Sequence, residues 1–95
     1  GSPEPAERLH RRFLVDFAGG DLGYFLTDPA LVKVEASAGE ARIVSTSLTA
    51  NEHTGGFRAA IDVRVEPNRT ADLRAYLRAG DRALTETWIY RWAPA

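Results

Sequence analysis

The feature that most constrains this chain is a run in which apolar side chains occupy every second position. The apolar members are Phe57, Ala59, Ile61, Val63 and Val65, and the intervening positions hold Arg58, Ala60, Asp62, Arg64 and Glu66. Alternation with period two places all the apolar side chains on one face of an extended strand, whereas a helix would distribute them around its axis. The run therefore predicts a strand with one face in a core and the other in solvent.

Weaker runs of the same period lie on both sides of it, separated by turn residues at intervals of about ten residues. They cover residues 12–17, 32–37, 40–48, 72–79 and 82–92. Short connections between strands favour antiparallel pairing. An all-β fold made of two packed antiparallel layers is the economical arrangement for such a pattern.

Residues 1–10 contain two prolines, alternating charges and a single large apolar residue. This composition is typical of a linker, and the opening Gly1-Ser2 resembles the remnant of a cleaved tag. A chain of 95 residues can build one hydrophobic core and not two. We therefore expect one small domain over residues 11–93, preceded by a tag remnant and linker.

A first hairpin is predicted at residues 38–39, an Ala-Gly pair that offers a two-residue turn. This turn pairs Glu35 with Arg42 on the wet face and Val34 with Ile43 on the dry face. Beyond Ile43 the apolar positions change phase, which predicts a bulge or bend in the second strand. A polar loop is expected over residues 49–56.

A second hairpin is predicted at residues 80–81, a Gly-Asp pair. Its register pairs Leu77 with Leu84, Ala75 with Glu86, and Leu73 with Trp88. Because Glu86 would then face the core, we expect its carboxylate to be buried and hydrogen-bonded to an arginine or to backbone donors.

Composition excludes several classes of protein. Twelve basic and thirteen acidic side chains are interleaved along the chain, so nucleic acid is not an expected partner. No apolar run approaches the roughly 20 residues needed to cross a bilayer, so membrane insertion is not expected. The absence of cysteine excludes thiol catalysis, disulfides and cysteine-ligated metals.

No residue pattern indicates catalysis. Hydrolysis of a glycosidic bond needs two carboxyl groups about 5 to 9.5 Å apart, and no pair in the sequence falls into a plausible site. His10 and His53 have no second histidine at metal-ligand spacing, and the serines have no histidine in pattern. We expect no catalytic residue, no bound metal and no cofactor.

The last two strands carry the candidate contact residues. Trp88, Tyr90 and Trp92 share one face, where they are mainly expected to fill the core, with Trp92 as the exception nearest to solvent. The opposite face is rich in arginine, and arginine and tyrosine are favoured at interfaces. The candidate interdomain or sugar-contact surface comprises Arg74, Tyr76, Arg78, Arg91 and Trp92.

Three stretches carry a resemblance to a known family. Residues 73–92 read LRAYLRAGDRALTETWIYRW, residues 12–17 read RFLVDF, and residues 54–58 read TGGFR. In this order and spacing they resemble the C-terminal end of the periplasmic glucan biosynthesis proteins of the G and D type. The resemblance covers roughly residues 11 to 93.

This resemblance implies a small immunoglobulin-like antiparallel β-sandwich at the C-terminal end of a larger periplasmic protein. The expected partner is the N-terminal domain of the same protein, which has a cleft for β-1,2-linked glucan and serves the biosynthesis of osmoregulated periplasmic glucans. Glucan is thus the expected ligand of the parent protein. Some members are similar to β-1,2-glucanases, whose acid and base lie in that other domain, and no position of this chain matches those carboxylates.

Three functions remain to be weighed. The first is a non-catalytic accessory domain that packs against the glucan-handling domain. The second is a self-sufficient carbohydrate-binding module, which needs an exposed aromatic platform, and the third is a fragment with hydrolase activity. The solvent exposure of Trp88, Tyr90 and Trp92 separates the first function from the second.

Overall fold

A computed structural model describes residues 9–93, which form seven strands and two short 3-10 helices. The strands are β1 (Leu9–Phe17), β2 (Lys33–Ser37), β3 (Arg42–Asn51), β4 (Gly56–Val65), β5 (Ala71–Ala79), β6 (Arg82–Ala83) and β7 (Trp88–Trp92), and the 3-10 helices are Leu22–Phe25 and Pro29–Leu31. One sheet has the order β1-β4-β3, and the other the order β2-β5-β6, with β7 also paired to β5. The predicted all-β sandwich is confirmed.

β1 begins at Leu9, inside the stretch of residues 1–10 that the sequence predicts to be a linker. Residues 1–8 lie outside the described residues, while Leu9 and His10 already belong to β1 and pair with Val65 and Arg64 of β4. None of the helices within residues 9–93 is long and apolar enough to span a membrane.

The core lies between β4 and β5, the central strands of the two sheets. The inward side chains are Phe57, Ala59, Ile61, Val63 and Val65 of β4 and Ala71, Leu73, Ala75 and Leu77 of β5. Each of them is no more than 1% exposed. Full burial of an aliphatic or phenylalanine side chain contributes about 1.5–3 kcal/mol, so these two faces supply much of the driving force for folding. The strand predicted from alternation over residues 57–66 is confirmed.

The first predicted hairpin is wrong, because β2 and β3 lie in different sheets. β2 pairs with β5, which places Val34 opposite Leu77, and β3 pairs with β4. The carbonyl of Ala38 accepts hydrogen bonds from the backbone of Ala41 and from Asp72 of β5, so the chain crosses between sheets at this point.

Alternation could not distinguish the two pairings. In the observed fold Val34 still has an aliphatic neighbour, Leu77, and Glu35 still binds an arginine, Arg78, at 2.6 Å. A local pattern fixes which face a side chain occupies but does not fix which strand lies beside it.

The predicted irregularity of β3 is confirmed by a register shift between Ile43 and Ser45. The predicted loop over residues 49–56 is too long, because β3 continues to Asn51 and β4 already begins at Gly56.

The second predicted hairpin is confirmed at its turn and wrong beyond it. Arg78 pairs with Ala83, and the Leu84 N–H donates to the Leu77 carbonyl at 2.8 Å, as the predicted register requires. From there the register moves by two residues, so that Ala75 lies opposite Trp88. Residues 84–87 lie outside β6 and β7.

Glu86 is exposed, which contradicts its predicted burial. The predicted register would have placed its carboxylate opposite Ala75 in the core, at a large desolvation cost. The observed register instead sets two tryptophans opposite two alanines, Trp88 with Ala75 and Trp92 with Ala71. Large side chains opposite small ones fill the layer without overlap, and Glu86 is left in solvent.

Residues 84–87, which the register shift displaces from the strands, still supply a hydrogen-bond partner to the backbone of β5. The Leu77 N–H donates to Thr85 Oγ1 at 3.1 Å, and the same hydroxyl donates to the Glu86 carbonyl at 2.9 Å. A side-chain hydroxyl thus stands in for a ladder partner where the strand is interrupted.

Substitution of the two neighbouring residues in this segment tests the register. Thr85→Val leaves the Leu77 N–H without its acceptor, so we expect a loss of about 1–2 kcal/mol in the free energy of unfolding. Glu86→Gln changes an exposed side chain and is expected to stay within about 0.5 kcal/mol of the unmodified chain. Urea unfolding measures both. A larger loss for Glu86→Gln than for Thr85→Val would support the buried glutamate of the predicted register.

Candidate functional site

The candidate contact residues divide between two opposite faces of one sheet. Arg74, Tyr76 and Arg78 alternate with the buried residues of β5 and therefore point outward, and Arg91 lies beside Asp72 on the same face. Trp92 lies opposite the buried Ala71, which puts it on the inner face. The structure thus brings four predicted residues together and separates the fifth.

The first group, called here the outer-face patch, comprises Arg74, Tyr76, Arg78 and Arg91. Two of its charges are already paired: Arg78 Nε donates to Glu35 Oε1 at 2.6 Å, and Arg91 Nε donates to Asp72 Oδ1 at 2.9 Å. The hydrogen bond with Asp72, together with its negative charge, raises the pKa of Arg91. Ion pairs of this kind at a surface contribute little to stability, but they leave less charge for a partner.

Arg74 differs from its neighbours, since no ion pair involves it within residues 9–93. It lies opposite Ile89 of β7, whose side chain is 66% exposed. Beside it, a shallow depression of about 310 Å³ includes Tyr76, Ser37 and Thr87. The outer-face patch therefore offers one uncompensated arginine, one exposed aliphatic side chain and a half-buried tyrosine.

The second group, called here the aromatic edge, comprises Phe13, Trp88, Tyr90 and Trp92. β1 and β7 are outermost strands of the two sheets, and Phe13 reaches from one to the other. Its ring centroid lies 6.4 Å from Trp88, 5.6 Å from Tyr90 and 5.7 Å from Trp92. Sequence reasoning missed Phe13 because period two relates residues within a strand and not residues on different sheets.

The aromatic edge is shared between core and surface. Trp88 and Trp92 are half-buried and pack against the hydrophobic core, whereas Tyr90 is 47% exposed. The expectation that Trp92 is the ring nearest to solvent is wrong, since Tyr90 is the more exposed. The Arg11 guanidinium lies 5.8 Å from the Phe13 ring and 6.0 Å from the Trp92 ring, within cation–π distance.

The rings interlock and do not form a flat platform. Trp88 and Tyr90 stack on each other at 5.9 Å with an interplanar angle of 14°. Phe13 is tilted against Trp88, Tyr90 and Trp92 by 52°, 56° and 70°. Tilted and edge-to-face contacts are the arrangement that aromatic rings adopt when they pack on one another. The rings therefore cover one another in part, and Tyr90 keeps 47% of its surface in solvent.

The carboxylates are mostly held by arginines. Six ion pairs occur within residues 9–93: Arg12 with Asp62, Arg58 with Asp16, Arg69 with Glu40, Arg78 with Glu35, Arg82 with Asp21, and Arg91 with Asp72. The hydrogen bond from Arg58 lowers the pKa of Asp16, and those from Arg12 and Ser45 lower the pKa of Asp62. A general acid needs the opposite shift.

A groove of about 630 Å³ lies between the end of β1 and residues 84–87. It contains two carboxylates, those of Asp16 and Glu86, but Asp16 is bonded to Arg58 at 2.8 Å and 3.2 Å. In the part of the chain that the structure describes, no group of three histidine, aspartate or glutamate residues is placed to hold a metal ion.

Comparison with known proteins gives a consistent result. A protein-family model described as "Periplasmic glucan biosynthesis protein, MdoG" matches residues 1–92. The chain is 44% identical over 90 residues to "Glucans biosynthesis protein D" of Xanthomonas axonopodis pv. citri, an alignment that covers 87% of this chain and 16% of that protein. It is 38% identical over 96 residues to "Glucans biosynthesis protein D 1" of Ralstonia nicotianae, covering 96% of this chain and 17% of that protein.

A third relative, "Probable glucans biosynthesis protein D" of Shewanella oneidensis, is 38% identical over 87 residues, covering 88% of this chain and 16% of that protein. The chain therefore spans about a sixth of the length of the curated relatives that it matches.

Two adjacent arginines provide a test of the pairing around Asp62. Arg12→Gln is expected to raise the pKa of Asp62 toward about 3.9, the value of an unperturbed aspartate. The reason is that the hydrogen bond from Arg12, the largest cause of the lowered pKa of Asp62, is lost. Since the folded-state pKa is lowered, the pair stabilises the fold above the unfolded-state pKa, and this stabilisation is lost as pH falls through the folded value.

NMR titration of the Asp62 carboxyl carbon measures the change. Arg11→Gln is the matched control, because Arg11 lies over the aromatic rings and donates no hydrogen bond to Asp62. An unchanged titration of Asp62 in Arg12→Gln would contradict the assignment.

Proposed function

The chain belongs to the MdoG family of periplasmic glucan biosynthesis proteins, and from this premise we propose that it is a non-catalytic accessory domain that packs against the glucan-handling part of its parent protein. The site of action is the periplasm, and the glucan is the β-1,2-linked, osmoregulated type that the family resemblance implies. The observation that carries the proposal is the interlocking of the aromatic rings, which are engaged with one another and with the core.

The carboxylates support the absence of catalysis in this domain. A glycosidase needs one carboxyl group that is protonated near neutral pH and a second one across the scissile bond. Asp16 and Asp62 have lowered pKa values and are bonded to arginines on the outer face of their sheet. Any hydrolysis or transfer by the parent belongs, on this proposal, to the glucan-handling part.

A self-sufficient carbohydrate-binding module is the second candidate. The exposure of Tyr90 and the position of Trp88 beside the groove at the end of β1 favour it. A sugar ring stacks on an aromatic face that is open to solvent, however, and Trp88 and Tyr90 stack on each other. The accessory role accounts for both the packing of the rings and the length of the relatives.

The proposed contact with the rest of the parent has two surfaces available. One is the outer-face patch of Arg74, Tyr76, Arg78 and Arg91, and the other is the aromatic edge that includes Trp92. The two lie on opposite faces of β5 and β7, so a substitution in one leaves the other intact.

Titration of the isolated chain with linear β-1,2-glucan tests the proposal. We expect no binding with a micromolar dissociation constant by calorimetry and no cleavage product by chromatography, because the rings pack on one another and Asp16, one of the two carboxylates in the groove beside Trp88, is held by Arg58. Tyr90→Ala serves as the control, since it removes the most exposed ring of the aromatic edge and should give the same heat signal. Micromolar binding that is lost in Tyr90→Ala would establish a binding module, and any product would establish an enzyme.

A further inference from the structure

The two edges of the sandwich differ in how they are protected. On one side, β3 exposes the hydroxyl side chains Ser45, Thr46 and Ser47 next to one aliphatic side chain, Val44 at 51%, and β2 exposes Lys33. Polar and charged side chains of this kind keep an open strand edge in solvent. On the other side, β1 and β7 present the aromatic edge, with Tyr90 47% exposed.

The backbone of the aromatic edge is open as well. Within the described residues, β1 pairs with β4 alone and β7 pairs with β5 alone, so each has one side without a strand partner. An apolar patch beside unpaired strand edges is unusual on the free surface of a soluble domain and is typical of a contact site. Arg11, which lies over Phe13 and Trp92, adds a cation of the type favoured at interfaces.

The path of the chain brings the parent protein to this edge. β1 begins at Leu9 and β7 ends at Trp92, and Arg11 and Trp92 are in contact distance. Both ends of the domain therefore lie at the aromatic edge. The curated relatives are about six times as long as this chain, so the rest of such a protein is tethered here whichever end it joins. Because a tether holds the two parts of such a protein near each other, a modest surface can dock stably.

The outer-face patch is less suited to that contact. Arg78 and Arg91 already bind Glu35 and Asp72, so docking there would desolvate ion pairs that are satisfied within the domain. Desolvating a satisfied pair costs free energy that a partner must offset. Docking on the aromatic edge would desolvate no ion pair, because its side chains are aromatic and Arg11 belongs to none of the six pairs within residues 9–93.

We propose that the aromatic edge, together with Arg11, is the surface that docks onto the remaining part of the parent chain. The partner surface is apolar, covers Tyr90 and supplies a carbonyl or carboxylate acceptor to Arg11. This inference rests on the proposed accessory role and adds the face through which it is exerted.

Cysteine labelling tests the inference at single residues, because the chain contains no cysteine of its own. Tyr90→Cys places a thiol on the aromatic edge, and Ile89→Cys places one on the outer face of the same strand. Thiol modification is followed by peptide mass spectrometry in the isolated chain and in the full-length parent. We expect the reaction rate of the thiol at position 90 to be lower in the parent than in the isolated chain by a factor of about ten or more. The thiol at position 89 is expected to react at the same rate in both.

A second variant guards against misfolding of the first. Arg11→Cys changes an exposed side chain and should show the same protection in the parent. Equal rates at positions 90 and 11 in both proteins would overturn the inference, as would protection confined to position 89. If protection in the isolated chain increases with the protein concentration, the edge binds a second copy of the chain. If added β-1,2-glucan protects the thiol, the edge binds sugar. Both outcomes overturn the inference. The calorimetric titration decides the accessory role separately.

Discussion

Burial of the inward faces of β4 and β5 is the constraint on which the rest of the structure depends. These two strands supply nine side chains that are no more than 1% exposed, and every other strand pairs with one of them. In a chain this small a second core is not available, so the remaining strands take positions that complete this one. Phe13, Trp88 and Trp92 then lie at its margin, where the two sheets part.

The packing at the margin of the core explains why one edge of the domain is aromatic. Ala71 and Ala75 leave space on β5, and the tryptophans of β7 fill it. That fit requires a register shift, and the shift places residues 84–87 outside the strands and Glu86 in solvent. The same packing that stabilises the core thus creates both the groove beside Trp88 and the partly exposed ring of Tyr90.

About half of the charged side chains within residues 9–93 form ion pairs with one another. Asp16 with Arg58, Asp62 with Arg12 and Asp72 with Arg91 are direct cross-strand neighbours, so the strand register itself sets these pairs. Arg74 is the exception on the outer face of β5, since it belongs to none of the ion pairs within residues 9–93.

The sequence by itself determined the inward face of the most regularly alternating strand and the position of the second hairpin turn. Alternation in residues 57–66 and the Gly80-Asp81 turn depend on local geometry, which a short stretch of sequence fixes. The family resemblance could also be identified from the sequence, mainly from residues 73–92. The partner of β2 was decided only by tertiary structure, because Val34 and Glu35 find suitable neighbours on either candidate strand. The register of β7 and the place of Phe13 were decided in the same way, since they depend on how large and small side chains from distant strands share one volume.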